Sequence, residues 1–193
     1  MSLPQPFTTF EAWLAEAEGR EPNNPTAMSL ATVAADGKPS VRVVLMRGFD
    51  ERGLTFYTNL ESRKGHELRH SMHAAVCFHW KSMDRQVRIE GRVELVDAAE
   101  ADAYFASRPR DSQIGAWSSR QSEPLAGREV LEARVAKYSA LYEVGKVPRP
   151  PFWSGYRLVP EAFEFWEERP FRLHDRHLWQ REAGHWSETL LYP

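Results

Sequence analysis

The chain has 193 residues and a mass of 22.3 kDa, which fits one ordinary domain. Its 25 Lys and Arg residues nearly balance its 27 Asp and Glu residues, so nucleic acid and anionic membranes are not expected partners. No apolar run approaches the roughly 20 residues that span a bilayer, and the N-terminus lacks a signal-peptide pattern. Cys77 is the single cysteine, which excludes an internal disulfide. We expect a soluble, cytoplasmic protein.

Periodicity and turn residues predict the order of helices and strands. A capping box at 8–11 predicts a first helix that ends at Gly19. A second capping box at 97–100 opens a helix that Pro109 should stop. Further helices are predicted at 62–70 and 125–142. Strands are predicted at 28–33, 40–47, 54–58, 74–80, 85–96, 156–159 and 162–166, followed by a hairpin folded at 183–184.

This order favours a mainly β protein with inserted helices. Seven or eight strands joined mostly by short turns predict an antiparallel sheet and exclude regular βαβ units. A closed or nearly closed barrel would remove the exposed edges of such a sheet. We expect a single domain over 1–193, with an N-terminal helix and loop at 1–24 and the barrel with its helical insertions at 25–193.

The first candidate site residues, Arg42 and Arg47, stand at the two ends of an apolar strand segment. Residues 43–46 place apolar side chains on both faces of this strand, so we expect it to be central and buried. Arginines at the ends of a buried strand need anionic partners. Those partners are either Asp and Glu side chains or a bound anion, and the residues alone leave both open.

A second candidate site lies where a strand ends and a helix begins. Tyr57 and Thr58 supply hydroxyl groups, and Arg63 and Lys64 stand in the first helical turn. Positive charges at this end oppose the helix dipole. A bound anion would remove the conflict, because free N–H groups and both cations would then face the same charge. The motif suggests a phosphate, and a solvated helix start is the alternative.

A third candidate site follows in the predicted helix before Pro109. Tyr104 and Arg108 are four residues apart on one helix face, and Ser112 continues the row. A phenol, a guanidinium and a hydroxyl could together hold a second phosphate or a carboxylate. The alternative is a helix end with a solvated arginine. Gln121 and Ser122 follow in a polar loop.

A fourth candidate site combines Arg172, His174 and Arg176. In an extended segment these three side chains share one face and form a strongly cationic surface. Three other histidines have a spacing that a helix could bring together, but no acidic residue completes a metal-binding pattern. Those histidines are His66, His70 and His73. We expect no metal site.

Taken together, these segments resemble the pyridoxine (pyridoxamine) 5′-phosphate oxidase family. The resemblance rests on residues 164–166, a spacer and then 172–176, in the order and spacing of the family signature. Further matching segments are 42–47, 56–59, 62–64, 85–87, 107–109 and 112–116. The sequence departs from the family pattern at Arg47, usually Lys, and at Glu167, usually Gln, His or Gly. The resemblance implies a split antiparallel β-barrel that forms a homodimer, with flavin mononucleotide (FMN) in clefts between the subunits.

The resemblance also implies roles for individual residues. Cofactor contacts would come from Arg42, Val43, Val44, Leu45, Tyr57, Thr58, Arg63, Lys64, Gln86, Gln121, Ser122, Trp166 and Arg176, some of them from the partner subunit. The substrate would be held by Arg47, Tyr104, Arg108, Ser112, Arg172 and His174. Of these, Arg172 and His174 would act as catalytic residues near the carbon that is oxidised.

The implied activity is oxidation of pyridoxamine or pyridoxine 5′-phosphate to pyridoxal 5′-phosphate, with reduction of O2 to hydrogen peroxide. Such a reaction belongs to the synthesis and salvage of vitamin B6. Two alternatives stay open. One is an FMN-dependent oxidase of the same fold that acts on another ring compound, such as a phenazine precursor. The other is a non-catalytic protein that binds flavin or pyridoxal phosphate.

Overall fold

The computed structural model describes residues 4–193, and within that range nine strands form one antiparallel sheet. The strands are β1 (Ala27–Val33), β2 (Pro39–Leu45), β3 (Gly48–Asp50), β4 (Gly53–Asn59), β5 (His73–Trp80), β6 (Arg85–Leu95), β7 (Trp153–Glu167), β8 (Asp175–Glu182) and β9 (His185–Leu190). The helices are α1 (Gln5–Arg20), α2 (Arg63–Ser71), α3 (Ala98–Ser107), α4 (Arg110–Ser118) and α5 (Arg128–Leu141). None of these helices is long and apolar enough to cross a membrane.

The strand order is β2-β1-β5-β6-β7-β4-β3, and β8 and β9 extend the sheet from β7. One edge of β7 pairs with β6 along its length, while the other edge pairs first with β4 and then with β8. The change of partner coincides with a bulge, where the register shifts between Glu90 and Gly91. A Cβ atom at Gly91 would lie 2.1 Å from the carbonyl oxygen of Val159, so the bulge requires glycine. The two strands predicted at 156–159 and 162–166 are therefore one bent strand.

The core fills the inside of the curled sheet. Alternate residues of each long strand point inward, as in the burial pattern of β5. Phe10 of α1 closes one side of this core and contacts Phe49, Phe78 and Phe163 through its ring. A second, smaller core consists of Phe105, Ile114, Val147 and Trp153 and lies under α3 and α4. This second core holds the helical insertion against the barrel.

One prediction about the helices was wrong, and one helix was missed. The first helix begins at Gln5, directly after Pro4, and no capping box forms. Thr8 and Thr9 instead donate their hydroxyl hydrogens back to the carbonyl of Gln5, because the helix has already started. Pro109 does end α3, but it also precedes the unpredicted helix α4, since proline suits the start of a helix.

Two predictions about extended segments were also wrong. The strand that carries Arg42 is the edge strand β2 and not a central one, and its outward side chain Val43 is 67% exposed. Residues 172–174 are not extended, because Pro170–Arg172 form a 3-10 turn before β8. Arg172 and His174 therefore lie in a loop, and only Arg176 stands on a strand.

Candidate active site

A cleft of about 840 Å³ opens beside β2, β4 and the starts of α2 and α4. It brings together most of the predicted site residues, although they come from distant parts of the chain. Those in the cleft are Arg42, Val43, Val44, Leu45, Arg47, Tyr57, Thr58, Arg63, Lys64, Tyr104, Arg108, Ser112, Gln121 and Ser122. The cleft contains two cationic groups, the Lys64 cluster (Thr58, Arg63 and Lys64) and the Arg108 cluster (Arg47, Tyr104, Arg108 and Ser112).

The Lys64 cluster is built around a buried ammonium group. The Nζ atom of Lys64 donates to Gln121 Oε1 at 3.0 Å and to Thr58 Oγ1 at 3.1 Å. Among residues 4–193, no carboxylate forms an ion pair with it. Burial, with the charge of Arg42 as a second cause, lowers the pKa of Lys64 to about 8. A buried cation held only by neutral groups favours an anionic ligand.

Local sequence explains why the helix starts at this point. The side chain of Ser62 caps α2 by accepting from the backbone N–H of Gly65 at 3.3 Å. A Cβ atom at Gly65 would lie 2.2 Å from the carbonyl oxygen of Leu60, so only glycine allows the chain to turn so tightly. This turn places Arg63 and Lys64 at the positive end of the helix dipole, next to the cleft.

Glu67, which was not predicted as a site residue, joins the cations on this side of the cleft. Its buried carboxylate accepts from Thr32 Oγ1 at 2.5 Å, Ser40 Oγ at 2.7 Å and Arg63 Nε at 2.8 Å. Burial alone would raise its pKa, but these hydrogen bonds outweigh burial and lower the pKa of Glu67 to about 2. Arg42 lies 3.4 Å from the same carboxylate. Arg42 therefore has an acidic partner within the chain and also lines the cleft, so its role toward a ligand stays a prediction.

An aromatic wall connects β4, α3 and β7. The rings of Tyr57 and Tyr104 are stacked with centroids 3.9 Å apart, and Trp153 stacks on Tyr57 at 5.3 Å. Gly155 is paired with Tyr57 across the two strands, and a Cβ atom there would lie 2.7 Å from the Tyr57 ring. Burial raises the pKa of Tyr57 to about 12, so its hydroxyl stays protonated. All three aromatic residues line the cleft, so one side of it is formed by packed rings.

The Arg108 cluster holds a guanidinium that is not fully paired. Arg108 lies over the Trp153 ring, with Cζ 4.9 Å from the ring centroid. Within residues 4–193, its Nη1 atom is the one buried side-chain nitrogen or oxygen that has no hydrogen-bond partner. Burial, together with the nearby charge of Arg47, lowers the pKa of Arg108. A buried donor without an acceptor is costly, so this atom indicates an anion at the same place.

An ion pair between a buried arginine and a partly exposed glutamate fixes the helix that carries this cluster. Arg157 of β7 donates to both carboxylate oxygens of Glu100, at 2.9 and 2.8 Å. Glu100 and Tyr104 are four residues apart on α3, and Arg108 follows after four more at the C-cap, so the ion pair and the cluster lie on the same side of the helix. The ion pair thereby sets the position of Tyr104 and Arg108 over the cleft.

Five predicted residues lie outside the cleft, and we call them the outer group: Gln86, Trp166, Arg172, His174 and Arg176. Gln86, Trp166 and Arg176 stand opposite one another on β6, β7 and β8. Arg176 donates to Glu164 at 2.8 Å, and the His174 ring lies 4.6 Å from the Trp166 ring. Arg172 is exposed. The chain alone does not bring these five residues to the cleft.

Comparisons with known proteins identify the family. A family model described as "Pyridoxamine 5'-phosphate oxidase" matches residues 15–142. A second, described as "Pyridoxine 5'-phosphate oxidase C-terminal dimerisation region", matches residues 153–193. The chain belongs to the pyridoxamine 5′-phosphate oxidase family. The resemblance noted in the sequence is confirmed.

Relatives in this family cover nearly the whole chain. A "Pyridoxine/pyridoxamine 5'-phosphate oxidase" of Chelativorans sp. is 59% identical over 190 residues, which are 98% of this chain and 91% of the relative. A protein of the same name from Rhodospirillum rubrum is 59% identical over 193 residues, which cover 97% of this chain and 96% of the relative.

Solved structures confirm the expected split-barrel fold. PhzG from Burkholderia lata 383, in complex with tetrahydrophenazine-1-carboxylic acid, has a TM-score of 0.92 at 36% identity, and the match covers 97% of this chain and 92% of PhzG. An FMN-binding protein from Nostoc punctiforme, related to pyridoxamine 5′-phosphate oxidase, has a TM-score of 0.79 at 19% identity, with both chains fully covered. At that identity the second match shows the fold alone.

Proposed function

We propose that this member of the family oxidises pyridoxamine 5′-phosphate or pyridoxine 5′-phosphate to pyridoxal 5′-phosphate, with FMN as cofactor and O2 as the final electron acceptor. The observation that carries the proposal is that one cleft contains two cationic clusters built on different elements. A phosphorylated cofactor and a phosphorylated substrate together bring two phosphates. A cytoplasmic location stays a prediction.

The residues of the cleft fit FMN. Arg63 and Lys64, at the start of α2, would hold its phosphate, because Lys64 has no carboxylate partner among the described residues. Tyr57, Thr58, Gln121 and Ser122 would contact the rest of the phosphate and ribityl chain, and residues 42–45 would lie along the flavin. When bound, the flavin would supply a hydride acceptor that O2 can reoxidise.

The Arg108 cluster would hold the substrate phosphate. The unpaired Nη1 of Arg108 would donate to a phosphate oxygen, and the hydroxyls of Tyr104 and Ser112 would complete the contact. Arg47 would face the substrate ring from the short link between β2 and β3. These groups orient the substrate and keep water away, which aligns the carbon to be oxidised with the cofactor.

The proposed reaction transfers two electrons from the substrate carbon to O2 by way of the flavin. The exocyclic carbon of pyridoxine phosphate loses a hydride and its hydroxyl loses a proton, which leaves the aldehyde. With pyridoxamine phosphate, the carbon–nitrogen double bond left after hydride loss is hydrolysed, and ammonia departs. The two electrons reduce O2 to hydrogen peroxide. Arg172 and His174 would donate hydrogen bonds that stabilise the charge developing at the reacting end of the substrate as the hydride leaves.

The proposal includes a homodimer with FMN between the subunits. The outer group lies outside the cleft of its own chain, so a second copy would bring it to the site. Val41 and Val43 on β2 are 68% and 67% exposed, which is unusual for large apolar side chains on an edge strand. The dimerisation region that matches residues 153–193 includes β7 and β8. Gln86, Trp166 and Arg176 would then complete the partner's cofactor site.

Aerobic incubation with each phosphorylated substrate tests the function. The flavin-loaded protein should form the aldehyde, measured by its absorbance, and one peroxide per aldehyde, measured with a coupled peroxidase. Tetrahydrophenazine-1-carboxylic acid, the ligand in the PhzG structure, serves as the competing substrate. Turnover of this compound alone would favour the alternative oxidase. A flavin-loaded protein without turnover of any of the three would favour a binding role.

A further inference from the structure

The loop between β7 and β8, residues 168–174, carries Arg172 and His174 on a strained backbone. Phe171 has φ of 61° and Arg172 has φ of 63°, a region that residues with a side chain rarely adopt. The side chain of Phe171 is 93% exposed, so packing within the chain does not hold the turn. A strained backbone persists only where its surroundings fix it. Another contact must therefore hold this loop.

Arg169 closes the loop at its base. The register of β7 and β8 sets Glu167 opposite Asp175, and two carboxylates in such a pair repel each other. The guanidinium of Arg169 bridges them, with Nη2 2.8 Å from Glu167 Oε2 and Nε 2.6 Å from Asp175 Oδ2. Arg85 fixes the other oxygen of Glu167 at 3.0 Å. One side chain thus ties the end of β7 to the start of β8.

The same residue orients the imidazole. The backbone N–H of Arg169 lies 3.2 Å from His174 Nδ1. A backbone N–H can only donate, so Nδ1 accepts and the proton of the neutral ring is on Nε2. The Trp166 ring, 4.6 Å from the imidazole, restricts its rotation from the other side. His174 therefore presents an Nε2–H donor.

We propose that Arg169 is a positioning residue for the oxidation, which holds the loop closed and sets the direction and tautomer of His174. The inference rests on the proposed function, because it assigns His174 and Arg172 to the reacting end of the substrate. Glu167 and Asp175 supply the two carboxylates that the Arg169 guanidinium bridges. Without the bridge, the carboxylates separate and the strained turn relaxes, which moves both residues away from the reacting carbon.

Two variants and a matched control test this inference. Arg169→Gln removes the bridging charge but keeps the backbone N–H that donates to His174. Arg169→Lys keeps the positive charge but lacks the guanidinium that bonds both carboxylates at once. Arg128→Gln is the control, since Arg128 makes a comparable exposed bond from Nε to Glu132 at 2.9 Å on α5, outside both the cleft and the loop. The measurements are kcat, KM, flavin content and hydrogen exchange of residues 168–174 in the flavin-loaded protein.

The expected result separates positioning from general stability. Arg169→Gln should lower kcat by about tenfold or more, with KM within about threefold, because the reacting groups are misplaced while the phosphate contacts remain. Flavin content should stay unchanged, and exchange in 168–174 should become faster. Arg169→Lys should lie between wild type and Arg169→Gln. Arg128→Gln should match wild type.

Other results would overturn the inference. If Arg169→Gln keeps kcat within about twofold of wild type, or leaves exchange in the loop unchanged, Arg169 does not position the loop. If Arg169→Gln fails to fold, Arg169→Lys decides by the same two measurements. If the wild-type protein with its flavin forms no aldehyde, the proposed function fails, and the exchange data still decide whether Arg169 holds the loop.

Discussion

The cleft and the loop between β7 and β8 differ in how they are built. In the cleft, partly buried hydrogen bonds hold the cations, as for Lys64 with Gln121 and for Arg63 with Glu67. The loop is exposed, strained and held by the bridge from Arg169. In the proposed function the two parts have different roles, because the cleft would bind phosphates and the loop would supply groups for the chemistry. The proposed homodimer would bring the loop of one chain to the cleft of the other.

The largest effect is expected at the Lys64 cluster. Replacing Arg63 and Lys64 by Ala should weaken FMN binding at least 100-fold, because charge-assisted hydrogen bonds contribute roughly 1.5–3 kcal/mol each. Quenching of flavin fluorescence measures the dissociation constant. Arg69→Ala on the same helix is the control, since Arg69 pairs with Glu61 away from the cleft. FMN affinity close to wild type in the double variant would remove this cluster from the cofactor site.

The next largest effect is expected in the loop. His174→Ala should lower kcat/KM by roughly 10²–10⁴ without loss of flavin, because it removes a group that acts on the reacting carbon. Steady-state kinetics and the visible spectrum give the two quantities. His177→Ala is the control, since His177 lies on β8 and pairs with Glu188 at the surface. Equal losses in both variants would mean that the effect is structural.

A smaller effect, and one of a different kind, is expected at Arg108. Arg108→Ala should raise KM by roughly 10- to 100-fold and change kcat little, since a phosphate contact stabilises the bound substrate and the transition state alike. Initial rates over a range of pyridoxamine 5′-phosphate concentrations separate the two constants. Arg110→Ala, whose side chain bonds the carbonyl of Gly145, is the control. A fall in kcat with unchanged KM would contradict a phosphate-holding role.

The smallest effect is a pH dependence of cofactor affinity. The pKa of Lys64 is about 8 because of burial, so the residue is charged below that pH and loses its proton above it. Binding of an anionic phosphate then requires recapture of a proton, and Kd should rise by up to about tenfold per pH unit above pH 8. Lys64→Arg stays charged and should show a flat profile. Titrations from about pH 7 to about pH 9.5 make this comparison. A flat profile in the wild type would show that Lys64 does not carry the phosphate.

Some parts of the fold and site could be predicted from the sequence because their signals are local. The start of α2 at Ser62 and the row of Tyr104 and Arg108 depend on spacing within one helix. The edge position of β2 could not be predicted from its sequence. A strand with apolar residues on both faces has the same sequence pattern whether those faces are covered within its own chain or by a partner chain. The positive φ angles of Phe171 and Arg172 could not be predicted either, because neither residue is a glycine or asparagine that would indicate a left-handed turn. Glu67 could have been predicted as the partner of Arg63, because residues four apart on a helix lie on the same face and Glu67 stands four residues after Arg63.

Restoration of activity between two inactive variants tests the central claim, that the cleft of one chain works with the loop of another. Arg63→Ala/Lys64→Ala impairs the cleft and His174→Ala impairs the loop, so each variant alone should have little activity when FMN is not in excess. In a mixed dimer, the intact cleft of one chain faces the intact loop of the other. After equal mixing and subunit exchange, checked by native mass spectrometry, activity should recover to about a quarter of wild type, because half of the dimers are mixed and each has one complete site. Mixed dimers without recovered activity would contradict the account.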